Sequence, residues 1–115
     1  MMEQKHRGLR FLFSAAAEII PEGTPSSGVS ARVVELSLRE CYMETPMPFG
    51  AHTPVLVKIF NLAEYFEAKA TVIHVKPGMG VRLAFREVNP HFLATLQKWI
   101  LAAMHTQKKP ETCPP

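Results

Sequence analysis

The sequence has few of the residues that build metal or catalytic centres, and it has no long hydrophobic run. Its only two cysteines, Cys41 and Cys113, lack the close CxxC spacing of a zinc site. The five histidines are scattered and form neither an HxxxH nor an HExxH pattern on a predicted helix. No apolar stretch approaches the ~20 residues of a membrane-spanning helix. We therefore expect no metal ligands, no catalytic residues, no enzyme activity and no membrane span.

A strong charge imbalance is also missing. The formal net charge is +3, which favours an anionic ligand but is too small to indicate binding to DNA. The hydrophobic fraction of 47% is ordinary for a soluble protein, and 115 residues are enough for one domain. The first residues are basic but show no clear signal-peptide cleavage site, so we expect a cytoplasmic protein.

Short runs of alternating apolar and polar residues predict a protein built mainly of strands. The alternation is clearest in the segment FEAKATVIHV, where every second residue from Phe66 to Val72 is apolar. In the predicted strand at 29–37, the alternation of apolar and polar residues breaks near Val34, which predicts a β-bulge. The predicted strands cover residues 11–20, 29–37, 41–45, 55–60, 66–75 and 80–85.

The pattern changes to a helical period near the C-terminus. Asn89 is a suitable N-cap, and Pro90 follows it at the first helical position. One apolar stripe at helical spacing then contains Phe92, Leu96, Trp99, Ile100 and Ala103. These elements predict a flexible basic arm at 1–10, a barrel or sandwich with a terminal helix at 11–106, and a disordered tail at 107–115.

Two polar segments stand out as candidate binding elements. The first, KHRGLR, runs from Lys5 to Arg10 directly before the first strand, and its guanidinium groups could pair with phosphate or stack on a purine. Its alternative interpretation is a solvated basic N-terminus. The second, ELSLREC, begins at Glu35, and its carboxylate and the Ser37 hydroxyl could bind a purine edge together. The alternative interpretation is an exposed strand end followed by a turn.

The two segments in combination resemble the PilZ family of cyclic di-GMP receptors. The stretches ELSLRECYMETP, FEAKATVIHV and GMGVRLAF carry the resemblance, which covers roughly residues 5–105. It implies a six-stranded antiparallel β-barrel with a C-terminal helix. It also implies a cyclic di-GMP ligand held between the N-terminal arm and the barrel surface, with no other cofactor.

The resemblance assigns the first part of the binding signature, RxxxR, to the N-terminal arm. Its second arginine corresponds to Arg10, and the position of the first is occupied by His6. Arg7 lies one position out of register and is the candidate to replace the missing guanidinium. A neutral imidazole lacks the forked donors of arginine, so this change predicts a weaker contact with the ligand.

The second part of the signature, [D/N]xSxxG, corresponds to the segment that begins at Glu35. Ser37 matches the serine, Glu35 replaces the shorter acidic residue, and Glu40 occupies the glycine position. Glu40 adds a side chain and a negative charge where a doubly anionic ligand would approach. We therefore expect weak or absent cyclic di-GMP binding.

Two hypotheses follow from the resemblance. In the first, the chain is a signalling module that binds cyclic di-GMP and relays it to a protein partner. In the second, the nucleotide motif has decayed and the barrel acts only through protein–protein contacts. Relatives of this kind are associated with motility, type IV pili and exopolysaccharide control, and the sequence does not choose among these pathways. The oligomeric state is open as well.

Overall fold

The computed structural model describes residues 10–23, 28–46 and 49–112, with side chains described as far as Thr106. This part of the chain forms six strands followed by one helix. The elements are β1 (Phe11–Pro21), β2 (Val29–Leu36), β3 (Glu40–Glu44), β4 (Pro54–Asn61), β5 (Glu64–Lys76), β6 (Gly80–Glu87) and α1 (Pro90–Thr112). The helix is not long and apolar enough to cross a membrane.

The strands close into an antiparallel barrel in the order β1-β2-β3-β6-β5-β4, and pairing of β4 with β1 completes it. The predicted six-stranded barrel with a C-terminal helix is therefore confirmed. A register shift between Val33 and Glu35 confirms the bulge expected near Val34. A second shift, between Leu12 and Ala15, bends β1. Bulges increase local strand twist and allow a small sheet to curve onto itself.

The core fills the barrel with the apolar side of each alternating strand. Phe66, Ala68, Ala70 and Val72 were predicted to share one face, and all four are buried. Phe66 is the largest fully buried side chain of the core, and its ring packs against the rings of Phe85, Phe92 and Trp99. Because side chains alternate across a strand, the same register directs the intervening polar residues to the outer surface.

Gly80 allows its strand, β6, to lie close to the neighbouring strand β3. A Cβ at this position would lie 2.3 Å from the carbonyl oxygen of Met43 and 2.8 Å from the Tyr42 hydroxyl. Such contacts are far inside van der Waals distance, so glycine is required here. The Tyr42 ring thereby occupies the outer surface where a Gly80 side chain would project.

Helix α1 covers one part of the barrel, in contact with β5 and β1. Its N-terminus is capped as predicted, since the Asn89 Oδ1 accepts a hydrogen bond of 2.8 Å from the backbone N–H of His91. The predicted stripe faces the barrel: Leu96, Trp99, Ile100 and Ala103 are buried, and Phe92 is half-buried.

Trp99 attaches the helix to the barrel on two sides. Its ring stacks on Phe13 with centroids 5.3 Å apart. Its indole Nε1 donates a hydrogen bond of 2.8 Å to the Glu64 carboxylate, which also accepts one from Lys98. The helix is thus held by apolar burial and by one carboxylate at the start of β5.

The C-terminal boundary differs from the prediction. The tail was expected to lack structure from residue 107, but α1 continues to Thr112. Gln107, Lys108 and Lys109 are good helix formers, so the backbone can continue beyond the last buried position, Ala103. The disorder predicted for residues 113–115 falls outside the described residues.

The β4–β5 hairpin has an unfavourable residue at its tip. Leu62 adopts φ of 58° and is 98% exposed, whereas the adjacent Ala63 keeps a negative φ. We expect Leu62→Gly to raise the free energy of unfolding by up to about 1 kcal/mol, because glycine removes the left-handed strain. Ala63→Gly, its control, should lower stability slightly, and both are measured by urea unfolding. Destabilisation by Leu62→Gly would contradict this account of the turn.

The hydrogen bonds from Lys98 and Trp99 hold the pKa of Glu64 below its usual value. A carboxylate with a lowered folded-state pKa stabilises the fold above its ordinary pKa, and this contribution is lost as the pH falls through the lowered value. We expect Glu64→Gln to lower the melting temperature at neutral pH and the difference from wild type to shrink as the pH falls through the lowered pKa of Glu64. Glu44→Gln on β3 serves as the control. A difference that stays constant with pH would contradict a contribution from the charge.

Candidate functional site

The turn between β2 and β3 is built around Ser37. Its backbone N–H donates a hydrogen bond of 2.9 Å to the Glu40 carbonyl, just beyond the last strand pair. Its hydroxyl accepts hydrogen bonds from the N–H groups of Glu40 (3.0 Å) and Arg39 (3.3 Å) and donates one of 3.1 Å to the Glu40 carbonyl. A serine hydroxyl has one donor and two acceptor positions, so the turn already uses all three.

One oxygen of the Glu40 carboxylate lies between two guanidinium groups. Its Oε1 is 3.8 Å from Nη2 of Arg10 and 3.8 Å from Nη1 of Arg82. Arg10 reaches this point because Phe11 pairs with Leu36, which brings the start of β1 beside the β2–β3 turn. Glu40 therefore occupies the position where an anionic ligand atom would contact both arginines.

Arg82 also contacts the second glutamate of the segment. Its outward position on β6 pairs with Tyr42 of β3, which in turn pairs with Glu35 of β2. The guanidinium lies over the Tyr42 ring, 5.4 Å from its centroid, and donates from Nη2 to Glu35 Oε1 at 3.3 Å. The extended stem of arginine thus spans one strand to reach an acid two strands away.

The resulting cluster, Arg10, Glu35, Glu40 and Arg82, has two positive and two negative charges and is neutral overall. At 3.8 Å the contacts of Glu40 with the arginines are ion pairs that are too long for hydrogen bonds. Glu40 Oε1 and Arg82 Nη1 are buried, and neither has a hydrogen-bond partner among the described residues. Burial without a hydrogen bond is costly, so this internal pairing is a weak one.

Cys41 lies directly behind the charged cluster, and its thiol is fully buried in the barrel. Burial raises the pKa of this thiol to about 12. The thiol is therefore protonated at neutral pH and is not an activated nucleophile. Among the described residues, no three His, Cys, Asp or Glu side chains form a group that could hold a metal ion.

The described chain thus brings four of the predicted site residues to one face. Ion pairs join Glu40 to Arg10 and to Arg82, and another joins Arg82 to Glu35. Ser37 shapes the turn that carries Glu40. The other two predicted residues, at positions 6 and 7, lie outside the described residues. We refer to Arg10, Glu35, Ser37, Glu40 and Arg82 together with Tyr42 as the charged face.

Sequence reasoning missed Arg82 as a member of this face. It lies far from the ELSLREC segment along the chain, and no motif marks it. Its outward direction was nevertheless readable, because its neighbours Val81 and Leu83 are apolar and alternate with it. What the pattern could not supply is the strand order, which puts β6 beside β3.

We expect Ser37→Ala to lower the free energy of unfolding by about 1–2 kcal/mol without any ligand present, because two turn N–H groups lose their acceptor. The exposed Ser30 of β2 offers a matched control, and Ser30→Ala should change stability little. Both variants are compared with wild type by urea unfolding. Equal stability of Ser37→Ala and wild type would mean that the turn does not depend on the hydroxyl.

Comparison with solved structures finds the same barrel in two PilZ domains. The PilZ domain of CeSA from a cellulose-synthesizing bacterium matches with a TM-score of 0.64 at 15% identity, covering 83% of this chain and 97% of that chain. The PilZ domain of YcgR from Escherichia coli, described with c-di-GMP, matches with a TM-score of 0.65 at 16% identity, covering 92% and 96%. No protein-family model and no curated protein matches the sequence. The chain therefore has a PilZ-like fold, as the sequence predicted.

Proposed function

We propose that this PilZ-like barrel is a non-catalytic signalling module that binds cyclic di-GMP at the charged face and relays its presence to a protein partner. In the ligand-free state the Glu40 carboxylate holds Arg10 and Arg82, so free nucleotide binds weakly. The single observation that carries this proposal is the position of Glu40 Oε1, 3.8 Å from both guanidinium groups.

Support for the ligand comes from chemistry and from one similar structure. The YcgR domain is described with c-di-GMP, and its barrel resembles this one over most of both chains. The charged face offers the groups that a cyclic dinucleotide needs. Two guanidiniums, of Arg10 and Arg82, can each donate paired hydrogen bonds to phosphate. The Glu35 carboxylate can accept from the donor edge of guanine.

The N-terminal arm extends this site in the proposal. Arg7 supplies a further guanidinium, and His6 supplies an imidazole that is mostly neutral near pH 7. Closure of the arm over the ligand would change the surface presented to a partner. The relay to motility, type IV pili or exopolysaccharide production belongs to this proposal as the class of pathway in which such modules act.

Glu40 sets the affinity in this scheme. A doubly anionic ligand must displace the carboxylate from Arg10 and Arg82 and then remain near its negative charge. Two features reduce the cost of that displacement: the ion pairs are long, and Glu40 Oε1 and Arg82 Nη1 are buried without a hydrogen bond to any residue that the structure describes. A phosphate could provide the hydrogen bonds that the internal carboxylate does not make.

A second candidate function is a barrel that works only through protein contacts and binds no nucleotide. The specific observation in its favour is the Ser37 hydroxyl, whose donor and acceptors are all used within the turn. A hydroxyl engaged in this way has nothing left to offer a ligand. Cytoplasmic location is part of both proposals.

We expect Glu40→Gln to strengthen cyclic di-GMP binding about tenfold or more over a weak wild type, because it removes the charge that competes for the arginines. Glu40→Gly, which also removes the side chain, should bind at least as well. Isothermal titration calorimetry measures both, with cyclic di-AMP and GTP as ligand controls. Adding Arg10→Ala to Glu40→Gln should abolish the gain.

Glu44→Gln is the matched control, because it makes the same change in net charge on the same strand without touching the charged face. Its affinity should equal that of wild type. Micromolar or tighter binding by wild type, unchanged in Glu40→Gln, would refute the proposed role of Glu40. Absence of binding in every folded variant would refute the receptor and leave the protein-contact function.

A further inference from the structure

Three contacts with described residues hold the Arg82 guanidinium at the charged face. Its Nη2 donates a hydrogen bond of 3.3 Å to Glu35, and its Nη1 forms an ion pair of 3.8 Å with Glu40. The third contact is with the Tyr42 ring, whose centroid lies 5.4 Å from the guanidinium carbon. A cation over an aromatic face within about 6 Å is attracted by the ring quadrupole. An arginine in solvent has many rotamers, so these contacts determine where its guanidinium lies.

Tyr42 differs from the two glutamates in what it uses of the guanidinium. A carboxylate accepts from the N–H groups, which are also the groups that bind a phosphate. An aromatic face interacts with the positive charge and occupies none of the N–H donors. Nη1 of Arg82 is buried and donates no hydrogen bond to any residue that the structure describes. Tyr42 therefore holds Arg82 in place and leaves its donors for a ligand.

The Tyr42 ring is itself held by the strands beside it. Tyr42 pairs with Arg82 across β3 and β6, and its ring extends over Gly80, the next outward position of β6. A Cβ on Gly80 would lie 2.8 Å from the Tyr42 hydroxyl and 3.0 Å from its Cζ. On β5, the opposite neighbour of β6, Lys76 pairs with Gly80 and places its Nζ 5.4 Å from the ring centroid. The ring is thus a platform that contacts β6 and a side chain of β5.

The contact with Tyr42 becomes more important when Glu40 leaves. In the proposed function a nucleotide displaces Glu40 from Arg82, which removes one of the three contacts. Glu35 then accepts from the same guanidinium whose N–H groups bind the ligand. The contact with the ring persists through this exchange, because it involves no N–H donor.

We propose that Tyr42 is a positioning residue of the nucleotide site, whose ring holds the Arg82 guanidinium at the charged face while the ligand replaces Glu40. Tyr42 acts through Arg82 and makes no contact of its own with the nucleotide. It lies outside both parts of the RxxxR and [D/N]xSxxG signature. The inference rests on the proposed function for its ligand, whereas the position of Arg82 is measurable without one.

The first test measures affinity in the Glu40→Gln background by isothermal titration calorimetry. Adding Tyr42→Leu should weaken cyclic di-GMP binding about three- to fivefold, which is the size of an exposed cation–π contact. Tyr42→Phe keeps the ring and should recover the affinity. Phe60→Leu is the matched control, because Phe60 is an exposed aromatic residue on β4 outside the charged face. Its affinity should equal that of Glu40→Gln alone, and urea unfolding checks that every variant is folded.

A double-mutant cycle in the same background distinguishes positioning from direct contact. With Arg82→Met present, Tyr42→Leu should cause no further loss of affinity, because the side chain that it positions is gone. An equal loss with and without Arg82 would overturn the proposal, since Tyr42 would then act independently of Arg82. Unchanged affinity on adding Tyr42→Leu while Arg82 is present would overturn it as well.

NMR of the ligand-free protein tests the position of Arg82 without any nucleotide. Protons above an aromatic face are shielded by its ring current, so the Arg82 side-chain resonances should move downfield in Tyr42→Leu. They should stay in place in Tyr42→Phe and in Phe60→Leu. Unmoved Arg82 resonances in Tyr42→Leu would overturn the proposal even if affinity falls. Absence of binding by Glu40→Gln with Tyr42 intact would instead refute the proposed function, and the NMR result would still decide whether Tyr42 positions Arg82.

Discussion

The structure depends above all on the two-sided pairing of β1. This strand bonds to β2 along one edge and to β4 along the other, and these contacts close the sheet into a barrel. Closure removes the exposed edges that would otherwise invite aggregation and fixes which side chains point inward. It also positions the charged face and helix α1, because Arg10 precedes β1 at the β2–β3 turn and Phe13, within β1, contacts Trp99 of the helix.

The charged face is neutral because two arginines offset its two glutamates. These four side chains come from four different strands or strand ends. Glu35 and Glu40 lie near each other along the chain, and two adjacent carboxylates would normally repel. Arg82 from β6 and Arg10 from the start of β1 compensate for them. In the proposed function, Glu40 competes with an anionic ligand for Arg10 and Arg82.

Helix α1 and the charged face are attached mainly to different strands of the barrel. Trp99 and Lys98 attach α1 to Glu64 at the start of β5, whereas the charged face lies on β2, β3 and β6. Both regions border β1, since Arg10 of the charged face directly precedes this strand and Phe13 within the strand contacts Trp99 of the helix.

Much of the fold could be predicted from local patterns. Alternation gave the strands, the break at Val34 indicated the bulge, and Asn89 with Pro90 indicated the start of α1. The sequence could not indicate where α1 ends, since Gln107 and the lysines after it suit either helix or coil. Nor did it predict the left-handed Leu62, because no local preference favours leucine in such a turn.

For the candidate site, the sequence by itself determined which side chains the β2–β3 segment presents, since Glu35, Ser37 and Glu40 follow from residue identity and strand period. Only the tertiary structure decided what these side chains contact. The Ser37 hydroxyl makes its hydrogen bonds within its own turn, and the Glu40 carboxylate forms ion pairs with Arg10 and Arg82. The physical reason is that hydrogen bonds and ion pairs depend on distances between strands. Those distances come from the barrel order, in which β6 lies beside β3, and no local pattern in the sequence contains that order.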